Sequence, residues 1–467
     1  MSPGNELPRA AEVVERALAA STSDGCVVLV EDGSEVDARF ANNTTTTNGL
    51  RRQRRVVVVS MRHGPEGTSV GVASRSGAPD VAELVAASEA DARGAPVAED
   101  ASPLVEPGAS GSDDTFESAA SETDFSILAP VLDDLGAAFD KAAAAGHVLA
   151  GFASHRVETL YLGSSTGIRR RHVQPTGSME LVGRAPDGPR STWVAQGTPD
   201  FADVDLEAMH VRVEQRLEWA RRRVELGPGR YETILPPDAV ADLVIPLWEA
   251  MSGRDAEDGR NAFSAPGGGT VVGRRLSPVD FELRSDPAEP RLECRPFVAA
   301  GASGTDVSVF DDGLPLGRTT WLEGGAVQRL RYHRAGARRS GTEPAPAVDN
   351  LTLEAPGAGQ SLDDLVAATE RGLLLTCLWY IREVDPVTLL LTGLTRDGVF
   401  LVERGEVVGA VNNFRFNESP VDLLGRVVDA GRSERALSRE WNEWMNRTAM
   451  PALRVADFNM SSVSPAT

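Results

Sequence analysis

Apolar residues recur at helical spacing over residues 8–20 ("PRAAEVVERALAA") and 80–93 ("DVAELVAASEADAR"), and alternate over the runs between them. Strands are expected at 25–32 and 35–43 around a turn at Asp32–Gly33, and at 50–64 and 68–77. This first module reads helix, four strands, helix. A helix with a proline kink follows at 125–146, then strands within 147–173 and 177–186, then a long charged helix at 203–226. From about residue 227 the pattern changes to short alternating runs broken by Gly turns, which predicts a large twisted antiparallel β domain. Helices are expected to interrupt it at about 237–252, 361–373 and 434–446.

The expected class is therefore α+β, with N-terminal α/β modules followed by a large, mainly antiparallel twisted sheet. The boundaries fall at 1–93, 124–226 and 227–467. Residues 94–123 are rich in Ala, Pro, Gly, Ser and acid and read as an exposed linker. The two modules echo one another. "ARFANNTTTTNGLRRQRR" (38–55) and "TLYLGSSTGIRRRHV" (159–173) both run strand, polar turn, Gly, apolar residue, Arg cluster. Duplication is one reading, and the general look of Arg-rich hairpins is the other.

A net charge of -21 repels phosphate backbones, so nucleic acid is not an expected partner. No run of about 18 apolar residues predicts a membrane span, and no signal peptide is seen, so a cytoplasmic location is expected. Cys26, Cys294 and Cys377 are odd in number and far apart. They form no CxxC pair and are expected to pack as small apolar side chains.

The most pointed stretch is "LWEAMSGRDAEDGRNAF" (247–263). Pro236 and Pro237 start a helix that is apolar nearly all round and should be buried. Glu249 stands near its end, solvated or held in a pocket. Carboxylates alone, at Glu249, Asp255, Glu257 and Asp258, suit Mg or Ca better than Zn, and the spacing is not that of an EF-hand. Of the six histidines, His147 and His155 form the closest pair, eight residues apart on predicted strands. Asp311, Asp312 and Gly313 read as a turn whose acids Arg318 would pair with. Asn412, Asn413, Arg415 and Asn417, in "NNFRFNESP", offer amides for a peptide backbone or for their own turn.

Taken in order, "NGLRRQRR" (48–55), "VEQRLEWARRRVELGPGRYETILPPDAVADLV" (213–244), "FDDGLPLGRTTWLEGG" (310–325) and "GLTRDGVFLVERGEVVGAVNNFRFNESP" (393–420) resemble the TldD/PmbA family, and within it the PmbA (TldE) branch. The resemblance covers about residues 8–460. It implies kinship with a zinc metallopeptidase whose catalytic branch carries an HExxxH helix and a late cysteine ligand. It also implies a heterodimer of that branch with a TldE-type chain, acting on unfolded peptides or on leader peptides. "WEAMSG" (248–253) lies where HExxxH would lie. Trp248 and Gly253 replace the two histidines and only Glu249 matches. Cys377, the last cysteine, is 90 residues from the end. Without the metal, Glu249 has no bound water to activate.

The resemblance thus implies a non-catalytic, substrate-binding subunit with no cofactor of its own, zinc in a TldD-type catalytic partner, and a peptide substrate. Two other readings stay open: an independent metallopeptidase with a metal site rebuilt around His147, His155 and an acid, and a peptide-binding scaffold.

Overall fold

The computed structural model describes residues 7–108, 113–186 and 190–465. Helix α1 (Ala10–Ala20), strands β1 (Gly25–Ala41), β2 (Thr44–Gly64) and β3 (Gly67–Ser76), and helix α2 (Val81–Gly94) come first. The same order then recurs as α3 (Ala129–Ala144), β4 (Val148–Ser164), β5 (Arg169–Arg184), β6 (Ser191–Thr198) and α4 (Leu206–Trp219). The six strands form one antiparallel sheet in the order β3-β2-β1-β4-β5-β6. The two expected modules therefore share a single sheet, joined at the β1–β4 pair.

The first module has three strands, where four were expected. Gly33 does not turn the chain. Asp32 accepts two hydrogen bonds of 2.6 Å from Arg54 across the β1–β2 ladder, and β1 runs straight through. The turn falls instead at Asn42 and Asn43, both at positive φ, between Ala41 and Thr44. Two such residues make the tight turn whose twist suits a hairpin.

The recurrence extends to side chains. Matching the ladders lays β1 on β4, so that Val30, Val56 and Val58 under α1 and α2 fall on Ala153, Met179 and Leu181 under α3 and α4. Asp80 caps α2 and Asp205 caps α4, each accepting backbone N–H groups of the first turn. This is the duplication that the sequence echo hinted at, in another register. Leu50, Arg51 and Arg52 fall on Val173, Gln174 and Pro175, so the Arg clusters are not equivalent.

Four helix expectations are corrected. The helix expected at 361–373 stops at Ala367, and Arg371–Leu375 is a strand. Pro130 starts α3 after a 3-10 turn, Phe125–Leu128, and makes no kink. Helix α4 ends at Trp219, well short of 226. No helix forms at 434–446, where a strand, Val427–Ala436, gives way to turns. The linker has little regular structure, yet Phe116 is buried against α1 and α2, and Leu104 packs between the sheet and the C-terminal domain.

The C-terminal domain is a large, mainly antiparallel sheet. Its longest strand, Thr448–Val463, pairs antiparallel with Gly229–Leu235, Phe414–Glu418 and Val427–Ala436, and parallel with Leu351–Glu354. Helix α5 (Pro237–Glu249) lies against it, with every residue from Ala239 to Trp248 buried. The three cysteines are free and buried, as expected of small apolar side chains. No helix among the described residues is long and apolar enough to cross a membrane.

Candidate functional site

Helix α5 runs between two sites. Its last turn carries the position singled out in the sequence. Trp248 is 4% exposed and meets Trp321 edge-on at 6.1 Å. The Arg331 guanidinium lies 4.9 Å from its ring centroid, a cation–π contact. Arg331 also bonds the Glu249 carbonyl and pairs at 3.1 Å with Asp306, which accepts from Ser252 Oγ at 2.8 Å. The space is therefore filled. Gly253 is fuller still: a Cβ there would stand inside the Tyr332 ring. Tyr332 is fixed by its hydroxyl donating to Glu257 at 2.7 Å. Glu249 itself is exposed, beside Glu383. These residues do not fit a zinc ion. Two of three histidine or cysteine ligands are replaced by packing groups, and the site has no room for imidazoles. Among the described residues, no group of three His, Cys, Asp or Glu side chains could hold a metal ion.

His147 and His155 do not meet. An extended chain of eight residues spans about 26 Å, and β4 is extended throughout. His155 Nε2–H donates to the Pro199 carbonyl at 2.8 Å, so its Nδ1 accepts from the Thr123 hydroxyl at 2.7 Å. Burial lowers its pKa and keeps this ring neutral. His147 lies 3.1 Å from Glu214. Arg318 pairs with Glu282, while Asp311 accepts from Arg334 Nε at 2.7 Å.

The four residues of "NNFRFN" face different neighbours. Asn412 Oδ1 accepts from the Leu226 N–H at 2.8 Å. Arg415 is exposed and donates to Thr392. The Asn413 and Asn417 carbonyls accept from Ser464 and Asn459. Asn412 Nδ2 and Asn417 Oδ1 are buried without a partner. Strand Phe414–Glu418 has a neighbour on both sides, so it offers no free edge.

The first turn of α5 borders a feature that sequence reasoning missed. A cavity of about 1240 Å³ opens between the six-stranded sheet and the C-terminal domain, and one of about 810 Å³ adjoins it. His172, Gln174, Thr176 and Arg447 line both. Strand β6 is the last of its sheet, and Ala195–Thr198 line the larger cavity. Arg216 caps the Trp193 carbonyl of this edge at 2.6 Å. Charges of both signs line the wall. Burial pushes Asp203 up, but Thr198, Arg291 and Arg435 outweigh it and bring the carboxyl down to about 2. The lining thus combines charges of both signs with part of the outer edge of β6.

A loop, residues 437–447, separates the two cavities and is tied to α5. Asp238 accepts from the Leu437 N–H at 2.9 Å; Asp242 accepts from Ser438 Oγ at 2.5 Å and Glu440 N–H at 2.9 Å. Pro246, inside the helix, has no N–H for the Asp242 carbonyl. Trp441 Nε1 supplies that bond at 2.9 Å. The expected helix at 434–446 is thus spent on satisfying α5. Burial pushes Asp238 up to about 6 and Asp242 up to about 8. The sequence signal was two acids one helical turn apart on an apolar helix.

With this geometry in hand, the chain can be set beside known proteins. A family model described as the PmbA/TldA metallopeptidase C-terminal domain matches residues 228–462. Three solved structures share the fold. TldE from Thermococcus kodakarensis is 18% identical with a TM-score of 0.76, over 96% of this chain and 99% of that one. A protein named as a modulator of a DNA gyrase, from Thermotoga maritima MSB8, is 16% identical at TM-score 0.75, over 96% and 99%. A second protein so named, from Bacteroides thetaiotaomicron VPI-5482, is 13% identical at 0.73, over 97% and 98%. No curated protein matches.

Proposed function

This chain belongs to the PmbA/TldD metallopeptidase family, and from that premise we propose that it is the non-catalytic, substrate-holding subunit of a cytoplasmic zinc-protease heterodimer. Its partner is a TldD-type chain carrying the HExxxH helix, the cysteine ligand and the zinc. The complex degrades unfolded peptides or trims leader peptides.

The observation that carries this reading is the packing at Gly253, where the Tyr332 ring occupies the space a second histidine would need. A helix that had kept its chemistry would leave that space open for ligands and water. The interdomain cavities support the other half of the reading. The larger of the two exceeds the usual size of a small-molecule site, and the β6 edge can take an extended peptide as an added strand. Asn412, Asn413, Arg415 and Asn417 lie outside the residues that line these two cavities. In this reading their part is contact with the partner.

The test is to purify the chain alone and together with an HExxxH-bearing relative from the same genome. Cleavage of an unfolded peptide is expected only from the pair, with one zinc per pair. Stoichiometric zinc and peptidase activity in the isolated chain would overturn the proposal.

A further inference from the structure

Strand β2 is two different objects along its length. From Arg55 to Met61 it pairs with β3 on one side and β1 on the other. From Thr44 to Gln53 it pairs with β1 alone, and all ten residues are exposed. Leu50 is 42% exposed. Both faces of this stretch and its outer edge therefore meet solvent. Natural edge strands are usually kept short, bulged, broken by proline or covered. This stretch is long, has no proline and carries its one register shift near the hairpin tip, at Arg39–Phe40 of its neighbour.

The duplication shows what such a stretch is built to meet. Its equivalent in the second half is the start of β5, Arg169–Thr176, which likewise runs past the end of its outer neighbour β6. That stretch is half-buried throughout. The C-terminal domain covers it: Phe297 meets His172 edge-on at 6.5 Å, the Glu293 carbonyl accepts from Gln174, and Arg447 donates to Pro175 and Thr176. The chain has one C-terminal domain and two such strand starts, so the first is left bare.

We propose that Thr44–Gln53 of β2 is the surface on which the catalytic partner docks, with the partner's own C-terminal domain covering β2 as this chain's covers β5. The proposal rests on the heterodimer reading above. The size fits. Ten extended residues span about 33 Å. Its two faces and outer edge are free along that length to contribute to the ~800 Å² that each partner gives to a stable interface.

The experiment uses the full chain and the HExxxH-bearing relative from the same genome. Thr47→Glu, Leu50→Glu and their combination place charge on the two faces of the stretch. Each is expected to leave the isolated chain folded, with an unchanged melting temperature, and to weaken the complex at least tenfold by light scattering and calorimetry. Independently of any variant, hydrogen exchange at residues 44–53 should slow in the complex and not in the isolated chain. If the wild-type pair forms and neither the variants nor the exchange respond, this surface is wrong and the heterodimer stands. If no pair forms, both proposals fall. If the edge closes a homodimer instead, the choice of partner is overturned.

Discussion

The last turn of α5 and the first half of β2 have opposite surroundings. At the end of α5 and just beyond it, the two positions that would carry the motif's histidines are occupied: Trp248 between Trp321 and Arg331, Gly253 beneath Tyr332. Along β2, residues 44–53 are all exposed; β1 alone pairs with their backbone, and Arg52 reaches Glu122 at 2.7 Å. The first region is filled by packing. The second has kept an unfinished surface. The subunit role proposed above calls for that combination. Its stability should therefore be concentrated where the family's chemistry lies, and its sensitivity to partners where its own packing stops.

The strongest way to break this contrast is to rebuild the motif. Trp248→His with Gly253→His inserts a side chain into the Tyr332 ring and removes a buried indole. The loss should be about 4 kcal/mol or more, read by denaturant unfolding. No stoichiometric zinc should bind, because the cysteine ligand is absent too. Gly253→Ala alone should cost about 3 kcal/mol. Combined with Tyr332→Ala it should cost less than the two changes summed, since they share one contact. Zinc bound by the double histidine variant would show that the site is open after all.

Next comes Arg331→Met. It removes the cation over Trp248 and leaves Asp306, which is 9% exposed at its side chain, without its partner. Breaking a pair this buried costs about 3 kcal/mol. Adding Asp306→Asn should recover part of that loss, because the uncompensated charge goes. If the single change is neutral, the packing at Trp248 holds without its cation.

Sequence and structure part company at these same places. Helix α5 was legible: two prolines open it and its residues are apolar on every side. The alternation of β2 over 50–64 and of β3 over 68–77 was equally local. What could not be read is what depends on a distant partner. Asp32–Gly33 has turn chemistry, but Arg54 across the ladder holds Asp32 in a strand. Residues 434–446 have helical spacing, but a proline in α5 claims Trp441. The duplication was visible as an echo of Arg clusters, while the ladders set another register, with Arg51 on Gln174. Only the family resemblance drew attention to 248–253 as the place of a replaced motif. Tyr332, which fills it, lies 79 residues on from Gly253 and gave no local sign.

The loop on α5 gives a pH test of moderate size. Asp242 sits up at about 8 when folded, because burial opposes its charge. Its unfolded value is near 4. The folded state thus holds a proton that the unfolded state has lost. This contribution to stability is complete below about pH 4 and declines as pH rises toward 8. Asp242→Asn keeps an oxygen for Ser438 and Glu440 and cannot ionise. The variant should gain on the wild type as pH rises from 6 to 8, by on the order of 2 kcal/mol. A difference that is flat with pH would mean that Asp242 is already charged at neutrality.

The smallest effect sharpens the contrast most. In the isolated chain, Leu50→Thr should change stability by less than about 0.5 kcal/mol. Leu50 has no packing to lose at 42% exposure, and Thr suits a strand at least as well. Its duplicated counterpart, Val173, lies half-buried in the cavity wall. Val173→Thr puts a hydroxyl of nearly the same size there, and should cost about 1 kcal/mol. The two changes are made at equivalent rungs of the same ladder, so backbone propensity largely cancels between them. What remains is the cover that one half has and the other lacks. In the complex with the catalytic partner, Leu50→Thr should become the costlier of the two. If it costs as much as Val173→Thr in the isolated chain, β2 is already covered without a partner and the contrast between filled and open regions fails.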